Sequence, residues 1–162
     1  MMPRAWVFGN DVSTDNIIPG RFNISSNASD LLPHVFQYFR PEFANEVTEG
    51  DIIIGGSNFG CGSSREHAAI VLKACGIILI AESYGWIFKR NCINTGLLPI
   101  ETTNKLAIKD GHQVEIDMAK AVINDITEQK TYKLSLPPPF IFEIYREGGL
   151  INYLNTNGNY PF

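Results

Sequence analysis

Short aliphatic runs alternate with amphipathic stretches along the first hundred residues. Residues 51–55, Asp-Ile-Ile-Ile-Gly, and residues 77–81 have the composition of strands. Between them Ala68, Val71, Leu72 and Cys75 recur at helical spacing, and Gly76 stands where a left-handed cap would end the helix. The whole stretch from 55 to 76 reads GGSNFGCGSSREHAAIVLKACG, a strand, glycine loop, helix, strand unit. In such a unit the loop lies at the carboxyl end of a parallel strand, and the helix points its amino end at whatever binds there. Residues 5–9 form a further short apolar strand. Over residues 31–43 the spacing of Leu31, Val35, Phe36 and Phe39 predicts one helix, stopped by Pro41. Residues 84–94 predict another, with Ile87, Phe88 and Cys92 on one side and an end near Gly96, followed by an extended segment over 97–100. The segments 113–117, 121–126 and 131–136 alternate or run apolar and predict an antiparallel group. Pro137, Pro138 and Pro139 stiffen a linker, and short helices over 140–145 and 150–154 flank a glycine pair. Residues 155–162 read as a loose tail. The pattern as a whole predicts an α/β fold with a mixed sheet.

Composition narrows the setting more than the fold. A chain of 162 residues suits one domain with a proper core, and 19% charged residues is ordinary for a globular protein. A net charge of −4 gives no electrostatic reason to expect nucleic acid. No apolar run reaches the length of a membrane span, and the start, Met-Met-Pro-Arg, lacks the apolar core of a secretory signal, so the cytosol is the expected compartment. Cys61, Cys75 and Cys92 are an odd number at wide spacings with no CxxC pair. That fits neither a disulfide framework nor a self-contained zinc or iron–sulfur site, and predicts reduced thiols.

The glycine stretch carries the candidate chemistry. It lacks the lysine of a Walker-type loop and the GxGxxG spacing of a dinucleotide site, and Ser63 does not stand in a GxSxG elbow. What remains is Gly60-Cys61-Gly62-Ser63-Ser64-Arg65-Glu66, two hydroxyls and a guanidinium presented together at a helix amino end. Backbone N–H groups there favour an anion, and an arginine grips a carboxylate through two parallel hydrogen bonds. A bland reading competes, because Ser63 and Glu66 also make an S-x-x-E capping box. Capping does not call for Gly55, Gly56, Gly60 and Gly62 crowded before it, and so many glycines are more readily understood if backbone approaches a ligand.

Three motifs in order, DVSTDNIIPG, GSSREHA and FKRNCINTGLLPI, together with the closing run EIYREGGLINYL, resemble the swivelling small-subunit domain of the aconitase superfamily, and within it the 3-isopropylmalate dehydratase small subunits. The resemblance covers nearly the whole chain and implies a swivelling β/β/α domain like the aconitase C-terminal domain. It also implies a hydro-lyase of leucine biosynthesis that works in partnership. A separate large subunit would hold a four-iron four-sulfur cluster, and this chain, binding no cofactor itself, would close over it. By the match to the motif, Ser63 would be the base that removes a poorly acidic proton next to a carboxylate, held as an alkoxide by N–H groups and positive charge. Arg65 would bind a substrate carboxylate, Ser64 would donate a further hydrogen bond, and Asp15 matches an aspartate close to the site, although a turn-forming aspartate explains it equally. Packing is the preferred reading of all three cysteines.

Specificity is expected in the polar loop after Pro19, at Arg21, Phe22, Asn23, Ile24 and Ser25. Homoaconitase-like relatives have a YLRT-type segment there, whose arginine meets an extra carboxylate. An aliphatic Ile24 in that place suits an apolar substituent such as isopropyl, and leaves room for dimethylmalate or citraconate and methylmalate relatives. A homoaconitate dehydratase and a non-catalytic anion-binding module are the remaining alternatives. His67 reads as structural, Arg90 as a helix cover, and His34 and His112 have no partner pattern.

Overall fold

The architecture is that of a computed structural model, which describes residues 2–22 and 24–160. Among these, β1 (Ala5–Val7), β2 (Ile52–Gly55), β3 (Ile78–Ala81) and β4 (Pro99–Glu101) form a parallel sheet in that order, with Ala5 opposite Ile52 and Ile52 opposite Ile78. A second, antiparallel sheet follows from β5 (Val114–Asp117), β6 (Val122–Asp125) and β7 (Lys130–Lys133). Both expected strand directions are therefore present, one to each sheet, and the bridges Arg4 to Gln113 and Glu101 to Ser135 join the two.

Period-two alternation explains why the parallel strands read as continuous aliphatic runs. Trp6, Ile53, Leu79 and Ala81 enter one buried cluster, whereas Ala5, Ile52, Ile54 and Ile80 enter another on the opposite face. The first face is covered by α4 (His67–Ala74), through Ala68, Ala69, Val71 and Leu72, and by Phe88 and Cys92 of α5 (Trp86–Thr95). Val114, Ile123 and Leu134 of the antiparallel layer cover the second, with Ile141 of α6 (Pro139–Arg146). Helices, parallel sheet and antiparallel sheet thus make the three layers of a β/β/α fold. Asp51 is among the polar residues buried with this core. The Asp51 carboxylate accepts hydrogen bonds from the Arg4 N–H (3.0 Å), the Thr48 N–H (3.1 Å) and the Trp6 indole N–H (2.9 Å). Burial pushes the Asp51 carboxyl up, and these donors outweigh it and hold it below the usual carboxylate range.

The single helix expected over residues 31–43 is not formed. In its place stand α2 (Ala28–Leu31), a 3-10 turn at Leu32–His34, a run of turns, and α3 (Phe43–Glu46). Phe36 is the reason. Its backbone turns to φ +52, which lets its N–H donate to the Ile17 carbonyl (2.8 Å) and stacks its buried ring 4.5 Å from Phe8. A fully buried Phe ring contributes roughly 2–3 kcal/mol, enough to outweigh the few hydrogen bonds of one helical turn. The segment read as a tail also differs, because α7 (Leu150–Asn157) runs through Asn155, Thr156 and Asn157 before Gly158, at φ +73, ends it. Pro161 and Phe162 lie outside the described residues.

Candidate active site

Three loops leave the carboxyl ends of β1, β2 and β3 and are zipped together by their backbones. The Gly56 N–H donates to the Gly9 carbonyl (3.1 Å), Asp11 to Ser57 (2.9 Å), Gly60 to Val12 (2.7 Å) and Thr14 to Cys61 (2.8 Å), joining the first loop to the second. The Phe59 N–H donates to Ser83 (2.9 Å) and Gly85 to Phe59 (2.8 Å), joining the second to the third. The glycines serve this packing. A Cβ on Gly55 would lie 2.5 Å from the Phe59 ring, one on Gly56 2.1 Å from Asn10, and one on Gly60 2.1 Å from the Phe88 ring. Close approach is thus real at these three positions, but the neighbour is the protein itself, which corrects the expectation of a ligand there.

Ser63 and Ser64 are exposed at the end of the second loop, and Arg65 is half-buried. The capping box expected at Ser63 and Glu66 is absent, because α4 begins only at His67 and Glu66 itself takes the N-cap position without a side-chain cap. The box sits fifty residues earlier, in the DVSTDN run. There the Ser13 hydroxyl accepts from the Asn16 N–H (3.1 Å), the Asn16 side chain accepts from the Ser13 N–H (2.9 Å), and α1 (Thr14–Ile17) starts. The Ser63 hydroxyl is left free of capping duty and meets Thr14 Oγ1 at 3.3 Å, while the fully buried Thr14 hydroxyl also reaches the Ser63 carbonyl (3.3 Å).

α1 also brings Asp15 to the site. Its carboxylate pairs with Arg65 through Nη1, so two residues fifty positions apart share one electrostatic contact. The guanidinium is also closed in by Gly20, where a Cβ would lie 2.8 Å from Nη1 and 3.0 Å from Nη2. From α5, the Asn91 side-chain amide donates to the Ser64 carbonyl (3.3 Å) and fixes the path of the serine pair. Thr14 and Asn91 were not singled out from the sequence. The signal for both was present, since each lies inside one of the quoted motifs, but nothing in the spacing tells a bonding threonine or asparagine from a turn residue.

Of the expected specificity residues, Arg21 and Phe22 lie in a 3-10 turn (Gly20–Phe22) directly after the contact with Arg65. The Arg21 guanidinium rests 4.7 Å over the Phe22 ring and 4.9 Å over that of Tyr38. Ile24 projects to solvent at 95% exposure, and the Ser25 hydroxyl donates to Asp30 Oδ2 (2.7 Å). Asn23 lies outside the described residues. Ser63, Ser64, Arg65 and Asp15 are therefore gathered in one place, and the loop joins them through Gly20.

The remaining histidines, Arg90 and the cysteines have surroundings of their own. Arg90 is exposed, His34 stacks on Phe22 at 3.7 Å, and His112 Nδ1 meets Asp125 Oδ2 at 2.8 Å. The cysteines are unpaired thiols, and burial pushes Cys75 up to about 12 and Cys92 well above its ordinary value. Among the described residues no three His, Cys, Asp or Glu side chains converge as a metal site would require. No helix among them is long and apolar enough to cross a membrane.

Comparison with known proteins gives a consistent picture. The family model of the aconitase C-terminal domain matches residues 41–105. The small subunit 1 of 3-isopropylmalate dehydratase from Archaeoglobus fulgidus is 47% identical, covering 96% of this chain and 97% of its own. The homoaconitase small subunit of Thermus thermophilus is 41% identical, covering 99% of each. The crystal structure of a 3-isopropylmalate dehydratase from Methanocaldococcus jannaschii superposes with a TM-score of 0.91 at 46% identity, covering 96% of this chain and 93% of that one.

Proposed function

The chain belongs to the family of 3-isopropylmalate dehydratase small subunits within the aconitase superfamily, and we propose that it is the small subunit of a two-chain hydro-lyase interconverting 2-isopropylmalate and 3-isopropylmalate by dehydration and rehydration. The observation that carries this reading is the Ser63, Ser64, Arg65 and Asp15 cluster, exposed on one face and built from loops at the carboxyl ends of parallel strands. Such a cluster is half an active site. It offers anion-binding donors and a hydroxyl, and it has no means of helping hydroxide depart. In the proposed pair that Lewis acidity is supplied by a four-iron four-sulfur cluster on the large subunit. The 162 residues act as one swivelling unit that closes over it.

Within this chain each group has a separable task. Arg65 grips a substrate carboxylate and stabilises the negative charge that develops on it when the neighbouring carbon loses its proton. Asp15 holds the guanidinium by one of its nitrogens and leaves the rest of the fork to the substrate. Ser63 takes the proton. A serine hydroxyl is too weakly acidic to do so unaided, and its alkoxide is stabilised by Arg65 and by the Thr14 hydroxyl at 3.3 Å. Ser64 donates a further hydrogen bond. Ile24 offers the substrate's distal end an aliphatic surface and no charge, which supports an alkyl substituent over a third carboxylate.

Reconstituted anaerobically with a cluster-bearing large subunit, the wild-type chain should gain turnover that neither chain has alone. The Ser63→Ala variant should bind the partner and lose at least about 10²–10⁴ in kcat, the usual contribution of a positioned general base. Turnover that is insensitive to this substitution would remove Ser63 from the role. Ligand binding by the isolated chain with no turnover in the pair would favour a non-catalytic module.

A further inference from the structure

We propose that Tyr38 is a specificity-determining positioning residue, which holds the Arg21 guanidinium on an aromatic shelf and so keeps a second cation away from the substrate. Gly20 passes so close to Arg65 that a Cβ there would lie 2.8 Å from Nη1, and Arg21 is the next residue along the chain. An arginine at that point is within reach of whatever Arg65 binds. Its guanidinium instead lies over two rings, 4.7 Å from the centroid of Phe22 and 4.9 Å from that of Tyr38.

The shelf is itself braced. The Phe22 ring stacks on His34 at 3.7 Å with 8° between the planes, and His34 Nδ1 meets Gln37 Oε1 at 2.9 Å, one residue before Tyr38. Tyr38 is 63% exposed, so burial does not account for an aromatic residue at this position. Its contact with the arginine does. Cation–π contacts at exposed sites are modest, and two of them bias the guanidinium toward the shelf by roughly five- to thirtyfold. An apolar substrate end gains from this arrangement, because no unpaired cation is left facing it. A substrate with a third carboxylate is denied a partner.

This inference rests on the alkylmalate reading above, and the experiment keeps the two apart. In the reconstituted pair, the ratio of kcat/KM for homoaconitate to that for isopropylmalate should rise about fivefold in Tyr38→Ala, as the freed Arg21 meets the extra carboxylate. It should stay at the wild-type value in Tyr38→Phe, which keeps the ring, and fall back in the Tyr38→Ala/Arg21→Ala double variant. An unchanged ratio in Tyr38→Ala, or a gain that survives in the double variant, overturns the inference. The second arm needs neither partner nor turnover. In the isolated wild-type chain the Arg21 Nε–H resonance should show a ring-current displacement that shrinks in Tyr38→Ala and vanishes when Phe22→Ala is added, and a wild-type resonance at the free-arginine position, or one unmoved by Tyr38→Ala, overturns the shelf. A pair that turns over neither substrate would refute the functional reading, with the shelf still decided by the resonance.

Discussion

Arg65 meets Asp15 through one nitrogen and packs close to Gly20, so its position is set before any substrate arrives. A guanidinium held in this way presents a planar fork that lysine cannot reproduce. Arg65→Lys should therefore lower kcat/KM by about 10²–10³, the usual loss when a donor to a developing anion is removed. Asp15→Asn should raise KM more than it lowers kcat, because its task is to orient a binding group; steady-state kinetics on the reconstituted pair separates the two effects. Asp51 governs a different property. Its carboxyl sits below its ordinary value of 3.8 in the folded chain, so the unfolded chain binds the extra proton first. Its contribution to stability is complete above that value and is lost as pH falls through the lower, folded one. Urea denaturation followed from pH 6 to pH 3 should show stability falling below about pH 4, and Asp51→Asn should flatten that fall. At this scale the motifs single out Ser63, Ser64, Arg65 and Asp15, which the fold brings to one place. The sequence did not disclose Thr14 or Asn91, because a hydroxyl or amide that serves one neighbour's carbonyl leaves no periodic trace.

Elements were legible where burial on a regular face dictates the pattern. β2, β3 and α5 fall within two residues of their expected limits and the antiparallel group within three, since each alternates or repeats against a flat neighbour. The failures share a cause. Residues 31–43 carry helical spacing, but Phe36 enters an aromatic cluster with Phe8 and Phe43 from an irregular backbone, and tertiary packing overrides the local period. Ser63 and Glu66 satisfy a capping pattern that the chain uses at Ser13 and Asn16 instead, a reminder that four-residue signatures are frequent. The end of α5 shows the opposite situation, a signal read correctly with a further constraint behind it. Gly96 caps the helix at φ +81, and a Cβ there would lie 2.5 Å from the backbone of Gly148, in the turn between α6 and α7. Gly96→Ala should cost roughly 2–4 kcal/mol, combining left-handed strain with a clash that no side-chain movement relieves. Chemical denaturation would measure it, and a loss well under 1 kcal/mol would show that the two turns slide apart freely.

For the molecule as a whole, an α/β fold was foreseeable because aliphatic runs between glycine-rich turns indicate a parallel sheet covered on both faces, and the β/β/α layering was what the family resemblance implied. How the strands would divide between two sheets was not foreseeable, since pairing across residues 4 and 113 or 101 and 135 depends on contacts remote in sequence. Membership among dehydratase small subunits implies a large-subunit partner, and the chain carries Ser63, Ser64 and Asp15 exposed, with Arg65 half-buried beside them. The kcat/KM ranking of the anaerobically reconstituted pair on isopropylmalate, dimethylmalate, citraconate and homoaconitate tests this account most directly. The account predicts isopropylmalate first and homoaconitate far behind, and a pair that prefers homoaconitate, or that turns over none of the four, would contradict it.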